Sequence, residues 1–125
     1  MPRLPLAFFS AAAICALGGI SWGLYMGSTQ NFTMMPAHAH LNLVGWASLA
    51  IMGTFYALSG KAGRLGWINF FLSAGAVVVM IPSLALVLSG NPGAESTVAA
   101  GSTLALLGMA TFVIAVLSGW RTAKA

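Results

Sequence analysis

Residues 66–88 read GWINFFLSAGAVVVMIPSLALVL and contain no charged side chain. An α-helix of about 20 apolar residues crosses the hydrocarbon core of a bilayer, which is roughly 30 Å thick. This stretch therefore predicts a transmembrane helix. Three further apolar stretches, at 5–26, 37–58 and 97–117, are each long enough to cross with a modest tilt. Polar and turn-forming residues separate the four stretches.

The composition is typical of a membrane protein. Of the 125 residues, 59% are hydrophobic and only 5% are charged, whereas a soluble domain carries roughly a quarter charged residues. A net charge of +4 would suggest nucleic-acid binding in a soluble chain, but these cations form no patch or stripe. We predict an all-α, integral membrane four-helix transmembrane bundle in a lipid bilayer, with residues 1–125 forming one domain. We expect the protein to bind no nucleic acid.

The cations predict the orientation in the membrane. One precedes the first helix, two lie between the second and third, and two follow the fourth: Arg3, Lys61, Arg64, Arg121 and Lys124. Alternate crossings place all of them on one side, which the positive-inside rule assigns to the cytoplasm. We expect both termini to be cytoplasmic, in a multi-pass protein of the inner (plasma) membrane of a bacterium.

The first apolar stretch has an alternative interpretation as a cleaved secretory signal, since Arg3 precedes it. The stretch exceeds the roughly 7 to 15 residues of a signal-peptide core, so we expect the first helix to be retained.

The single cysteine, Cys15, excludes an intrachain disulfide and a CxxC motif.

Small residues recur at helical spacing. Gly19, Gly23 and Gly27 form a small-xxx-small ladder in the first helix, and Gly101 and Gly108 belong to a looser one in the fourth. Such ladders allow close contact between helix backbones. We expect them to pack helices within one protomer, with oligomer contacts as the alternative.

The only two histidines, His38 and His40, stand in the first turn of the second predicted helix, near the periplasmic side. Residues two apart on an α-helix differ by about 200°, so the two rings point to nearly opposite faces. We therefore do not expect the pair to chelate one metal ion jointly, and a zinc site is not expected because no Asp, Glu or Cys is available as another ligand. Asn42 follows His38 by four residues and is placed to orient that ring.

A histidine at a membrane interface can serve only to cap a helix or to bond a carbonyl. Here the pair is joined by Asn42 and Trp46 in a chain almost free of ionisable groups. Ionisable residues in membrane segments tend to be functional. His38, His40, Asn42 and Trp46 are therefore the candidate site.

The stretch HAHLNLVGW at 38–46, continuing to GTFYAL at 53–58, resembles the haem-ligand helices of the haem-copper oxidase catalytic subunit and its nitric oxide reductase and NnrS-like relatives. In that family a His-x-His pair reaches two different haems from opposite faces of one helix. The resemblance implies that His38 and His40 are axial ligands of haem iron, that Asn42 and Trp46 help to bind the cofactor, and that this is haem b.

The family's catalytic subunit is built from four-helix arcs around a pseudo-threefold axis, and this chain resembles a single arc. The resemblance implies a homotrimer that rebuilds the ring. His38 of one protomer and His40 of the next would then face each other across a shared haem pocket.

The expected function is that of a haem b-binding membrane protein in electron transfer, with a redox partner, or in a response to a gas. Oxidase activity by the chain alone is not expected, because the family's copper site needs three further histidines. The family also pairs haem propionates with arginines, whereas all cations here are predicted on the opposite side. The one acid, Glu95, is interpreted as a helix cap.

Two alternatives remain. In the first, the protein is a haem-free interaction or transport subunit. In the second, it handles copper through the histidines and through Met26, Met34 and Met35, whose thioethers are soft ligands.

Overall fold

A computed structural model describes residues 1–61 and 63–122, with side chains as far as residue 118. Lys124 and the side chain of Arg121, both used above to predict topology, lie outside this description. The described residues form four long helices and no strand: α1 (Arg3–Thr29), α2 (Met35–Ser59), α3 (Arg64–Leu88) and α4 (Glu95–Thr122). All four are long and apolar enough to cross a membrane. The all-α prediction with four membrane-length helices is thus confirmed.

Short turns connect the helices. Gly60, after α2, has a φ of 65°, and Gly90, after α3, has a φ of 94°. Glycine adopts this left-handed region without the steric penalty that a Cβ brings. A 3₁₀ turn at Pro92–Ala94 leads into α4, and Glu95 lies in its first turn, where a negative charge suits the helix dipole.

Because the connections are short, consecutive helices run antiparallel and the bundle has two distinct ends. The end at which α1 and α3 begin carries Arg3, Lys61 and Arg64, and we call it the cationic end. The opposite end carries His38 and His40 at the start of α2, and we call it the histidine end.

A cluster of buried apolar residues lies toward the cationic end. Phe8 of α1 is fully buried and stacks on Tyr56 of α2, with ring centroids 5.4 Å apart. Phe70 of α3 meets the Phe8 ring edge-on at 5.1 Å, and Phe112 of α4 meets Phe55 at 5.4 Å. Aromatic pairs of this kind contribute about 0.5 to 1.5 kcal/mol each beyond their area burial. Aromatic ring contacts therefore join all four helices at this end.

A buried polar cluster lies within the same core. Asn69 of α3 is fully buried. Its Oδ1 accepts from the Tyr56 hydroxyl at 3.2 Å, and its Nδ2 donates to Ser73 Oγ at 3.2 Å and to the Gly108 carbonyl at 2.7 Å. Asn69 thus links α2, α3 and α4, with both N–H groups of its amide donating and its oxygen accepting.

Glycines set the closest helix contacts. A Cβ on Gly101 would lie 2.8 Å from backbone atoms of Met80, and one on Gly108 would lie 3.1 Å from the Ser73 nitrogen. Gly19 and Gly23 face side chains of α2, whereas nothing lies within 4 Å of a Cβ on Gly27. The ladders therefore pack helices within the protomer as predicted, except at Gly27.

Candidate functional site

Both histidines lie in the short α-helical start of α2, Met35–His40. Pro36 is tolerated there because the first N–H groups of a helix have no intrahelical partner. The His38 ring is half-buried toward α1, and the His40 side chain is exposed. The rings therefore lie on different sides of α2, as their spacing predicted.

The glycine ladder of α1 makes a recess for His38 and Asn42. A Cβ on Gly23 would lie 3.1 Å from His38 Cε1, and one on Gly19 would overlap the Asn42 amide. The two glycines are one helical turn apart, as are the two side chains that they admit. Any larger residue at either position would displace the side chain opposite it.

The Asn42 amide holds the His38 ring from one side. Its Nδ2 donates to the His38 carbonyl at 3.0 Å and lies 3.4 Å from Nδ1 and 3.3 Å from Nε2 of the imidazole. A nitrogen that is nearly equidistant from both ring nitrogens lies over the ring face, because an in-plane approach would collide with Cε1. Asn42 therefore positions the ring without lying along the lone pair of either nitrogen.

His40 is held in a different way. Its Nδ1 lies 2.7 Å from the carbonyl oxygen of Pro36, one helical turn earlier. Because a carbonyl only accepts, Nδ1 carries the hydrogen, and the neutral ring has its lone pair on Nε2. Metal-bound histidines commonly use this arrangement, in which a backbone carbonyl fixes the tautomer.

The backbone changes form directly after the histidines. Residues Leu41–Ala47 form a π-helix, a feature that the sequence pattern does not predict. Gly45 lies within this segment, where an added Cβ would be 2.9 Å from Cys15 Sγ on α1. The Ser48 hydroxyl donates to the Leu43 carbonyl at 2.7 Å, five residues back. π-Helical turns are rare and occur frequently at functional sites.

Trp46 lies in the π-helical segment with 48% of its surface exposed, and Leu43 is 64% exposed. The α2 segment at the histidine end thus presents His40, Leu43 and Trp46 outside the packed bundle. Asn42 is brought together with His38, whereas His40 and Trp46 remain on open surface.

Three cavities among the described residues are lined by neither histidine. The first, of about 300 Å³, lies at the cationic end. The second, of about 100 Å³, lies between α2, α3 and α4 beside Ser48 and Ser73. The third, of about 210 Å³, is an apolar groove between α1 and α3 beside Cys15. Because His40 is exposed, a large cofactor bound to it would lie against the outer surface of the bundle.

No family model, curated protein or solved structure matches this chain. The residues 1–61 and 63–122 contain no group of three or more His, Cys, Asp or Glu side chains placed to hold a metal ion. Of the methionines at the histidine end, Met26 is buried, Met34 half-buried and Met35 exposed.

Proposed function

We propose that the protein is a haem b-binding membrane protein that transfers electrons, with haem held at the histidine end between copies of the chain. Its four helices would cross the inner (plasma) membrane of a bacterium, with both termini in the cytoplasm and the histidines near the periplasmic side. The apolar helices support insertion. The gathering of Arg3, Lys61 and Arg64 at one end supports the orientation.

The observation that carries the haem proposal is the state of His40. Its ring is exposed, its Nδ1 is paired with the Pro36 carbonyl, and its Nε2 keeps a lone pair on the outer side of α2. An exposed imidazole beside Leu43 and Trp46 is poorly suited to lipid, since ionisable groups in membrane proteins generally face protein or a cavity. The donor chemistry and the apolar surroundings fit an axial ligand of haem iron.

The second ligand would be His38 of a neighbouring copy. Within one protomer the two rings lie on different sides of α2, so one haem iron cannot accept both. In a ring of copies each His40 would face the His38 side of its neighbour. A homotrimer, as the resemblance to a four-helix arc implies, would hold one haem at each interface.

Two imidazole ligands leave no open axial position, which suits electron transfer with a redox partner better than gas binding. A response to a gas would require one ligand to leave. His40 is the candidate, because only a single hydrogen bond from Nδ1 positions its ring in this structure. The haem propionates would reach water and the polar loop at 30–33, because the described cations Arg3, Lys61 and Arg64 lie at the other end.

An absorption spectrum of the purified protein, oxidised and then reduced with dithionite, tests this proposal. We expect sharp reduced α and β bands of a six-coordinate low-spin haem. These bands should be lost in His40→Gly and His38→Gly, restored in part by added imidazole, and unchanged in Asn91→Ala, which alters the exposed turn after α3. Intact bands in both histidine variants would refute the assignment.

A second candidate is a haem-free subunit that binds another membrane protein through α2. The exposure of His40, Leu43 and Trp46 on one segment favours it, because a partner helix would cover the same surface. A colourless protein that co-purifies with a stoichiometric partner would support this alternative. Stoichiometric copper in metal analysis would instead support copper handling by the histidines and nearby methionines.

A further inference from the structure

The cavity between α2, α3 and α4 lies at mid-length of the helices that form it. Its volume is about 100 Å³. The wall is formed by Val44, Ser48 and Met52 of α2, by Ser73 of α3, and by Ala105 and Met109 of α4. All of these positions are near the middle of their helices. In the membrane topology proposed above, the cavity therefore lies near the centre of the hydrocarbon core.

The cavity runs inward from the outer surface of the bundle. Met109 is 44% exposed and Ala105 is half-buried, so α4 provides the outer wall. Met52 is only 3% exposed and provides the inner wall. A molecule that entered beside Met109 would come from the hydrocarbon core and not from water.

The two hydroxyl groups in the wall already have hydrogen-bond partners. Ser48 Oγ donates to the Leu43 carbonyl at 2.7 Å. Ser73 Oγ donates to Met52 Sδ at 3.6 Å and accepts from Asn69 Nδ2 at 3.2 Å. Both hydroxyl hydrogens are thus used within the protein, and the lining residues include no charged side chain. An anion, or any ligand that must accept hydrogen bonds, would find no donor in this wall.

The size of the cavity limits the ligand further. Sites for drug-sized molecules have volumes of about 300 to 1,000 Å³, so only a much smaller molecule fits here. A flexible acyl chain would lose conformational freedom on entering, whereas a rigid molecule of a few atoms has none to lose. A buried water typically makes about three hydrogen bonds, more than this wall readily offers. In another protein, an engineered apolar cavity of about 150 Å³ stays dry and binds xenon.

We propose that this cavity binds a neutral, apolar molecule of a few atoms, of the class of dissolved gases, taken up from the hydrocarbon core. Transfer of an apolar molecule from water into an apolar environment is favourable. The membrane would therefore supply such a ligand at a higher concentration than the surrounding water. The proposal depends on the membrane insertion proposed above, but it does not depend on haem.

Xenon is the probe that tests the proposal. The full chain, isotope-labelled on its methionine methyl groups, is titrated with xenon under pressure in dodecylmaltoside micelles and followed by NMR. We expect the shift of the Met52 methyl group to saturate, because Met52 lines the cavity and is shielded from the micelle. Met26 is equally buried, at 2% exposed, but lines none of the three cavities. Its methyl group is the internal control and should shift little.

Three variants change the wall of the cavity. Ala105→Leu fills the space and should abolish the saturable shift, whereas Ala100→Leu, at an exposed position of the same helix, is the matched control. Val44→Ala enlarges the space and should increase the xenon response, so a folding defect in one variant does not decide the test. Ser48→Ala should leave xenon binding intact, because the Ser48 hydroxyl is directed to the Leu43 carbonyl.

Equal, non-saturating shifts of the Met52 and Met26 methyl groups would overturn the proposal, because they would show general partitioning into the protein and the micelle. A nuclear Overhauser effect between water and the Met52 methyl group would identify water as the occupant, with the same result. An unchanged response in both Ala105→Leu and Val44→Ala would place the xenon elsewhere and overturn the proposal too. The haem spectrum of these variants should not change, so failure at this cavity is distinguishable from failure of the haem proposal.

Discussion

Replacing Asn69 by Leu should destabilise the bundle by about 3 kcal/mol. The change removes three hydrogen bonds, to Tyr56, Ser73 and the Gly108 carbonyl. In membrane proteins such bonds average about 0.6 kcal/mol each, for a total of about 2 kcal/mol. The Gly108 carbonyl keeps a bond from Thr111 Oγ1 at 2.7 Å, but the buried Tyr56 hydroxyl loses its partner. That unpaired hydroxyl adds about 1 kcal/mol or more.

The orphaned hydroxyl makes the prediction specific. Tyr56→Phe alone should cost about 1 kcal/mol, because it removes one bond and leaves Asn69 Oδ1 unpaired. In the Asn69→Leu background the same change should cost nothing or restore stability. Unfolding of the four proteins by SDS in dodecylmaltoside micelles, followed by circular dichroism, measures this coupling. A cost below about 0.5 kcal/mol for Asn69→Leu, or equal costs of Tyr56→Phe in both backgrounds, would show that these hydrogen bonds do not stabilise the bundle in this way.

The close glycine contacts make three further predictions. Gly101→Ala should destabilise the bundle in the same assay, because its Cβ would lie 2.8 Å from the Met80 backbone, whereas Gly75→Ala should be neutral. Gly45→Ala should destabilise the bundle by pushing α1 away from the π-helical segment, because the new Cβ would lie 2.9 Å from Cys15 Sγ. Adding Cys15→Gly should recover most of the lost stability. No recovery would mean that the Cys15 thiol is not what the new methyl group meets. Gly23→Ala should displace the His38 ring and lower the haem-to-protein absorbance ratio, and an unchanged ratio would argue against His38 as a ligand.

The four helices were predictable because membrane insertion constrains composition directly. Stretches such as 66–88 have no charge, and polar turns separate them. The different sides taken by His38 and His40 were predictable too, because they depend only on the angle per residue in an α-helix. The link that Asn42 makes to His38 follows from the same periodicity.

The π-helical segment and the recess for His38 were not predictable from hydropathy. Hydropathy does not report the backbone register within an apolar stretch. The π-helical turn at Leu41–Ala47 lies where Gly45 packs closely on the Cys15 thiol of α1, a contact that hydropathy does not show. The glycines at 19 and 23 were visible, but which side chains they admit depends on the rotation of α2 against α1. The exposure of Trp46 likewise depends on the rotation of α2 against α1.

The π-helical turn also divides α2 into two parts that can change independently over evolutionary time. Aromatic packing around Tyr56 fixes the azimuth of the part beyond Ala47. Deleting one residue within the segment would rotate everything before it by about 100° relative to that anchor. A single insertion or deletion in this segment would therefore change the direction in which His38 and His40 point, with no substitution needed. Such an insertion or deletion would redirect both imidazoles without altering one residue of the aromatic core.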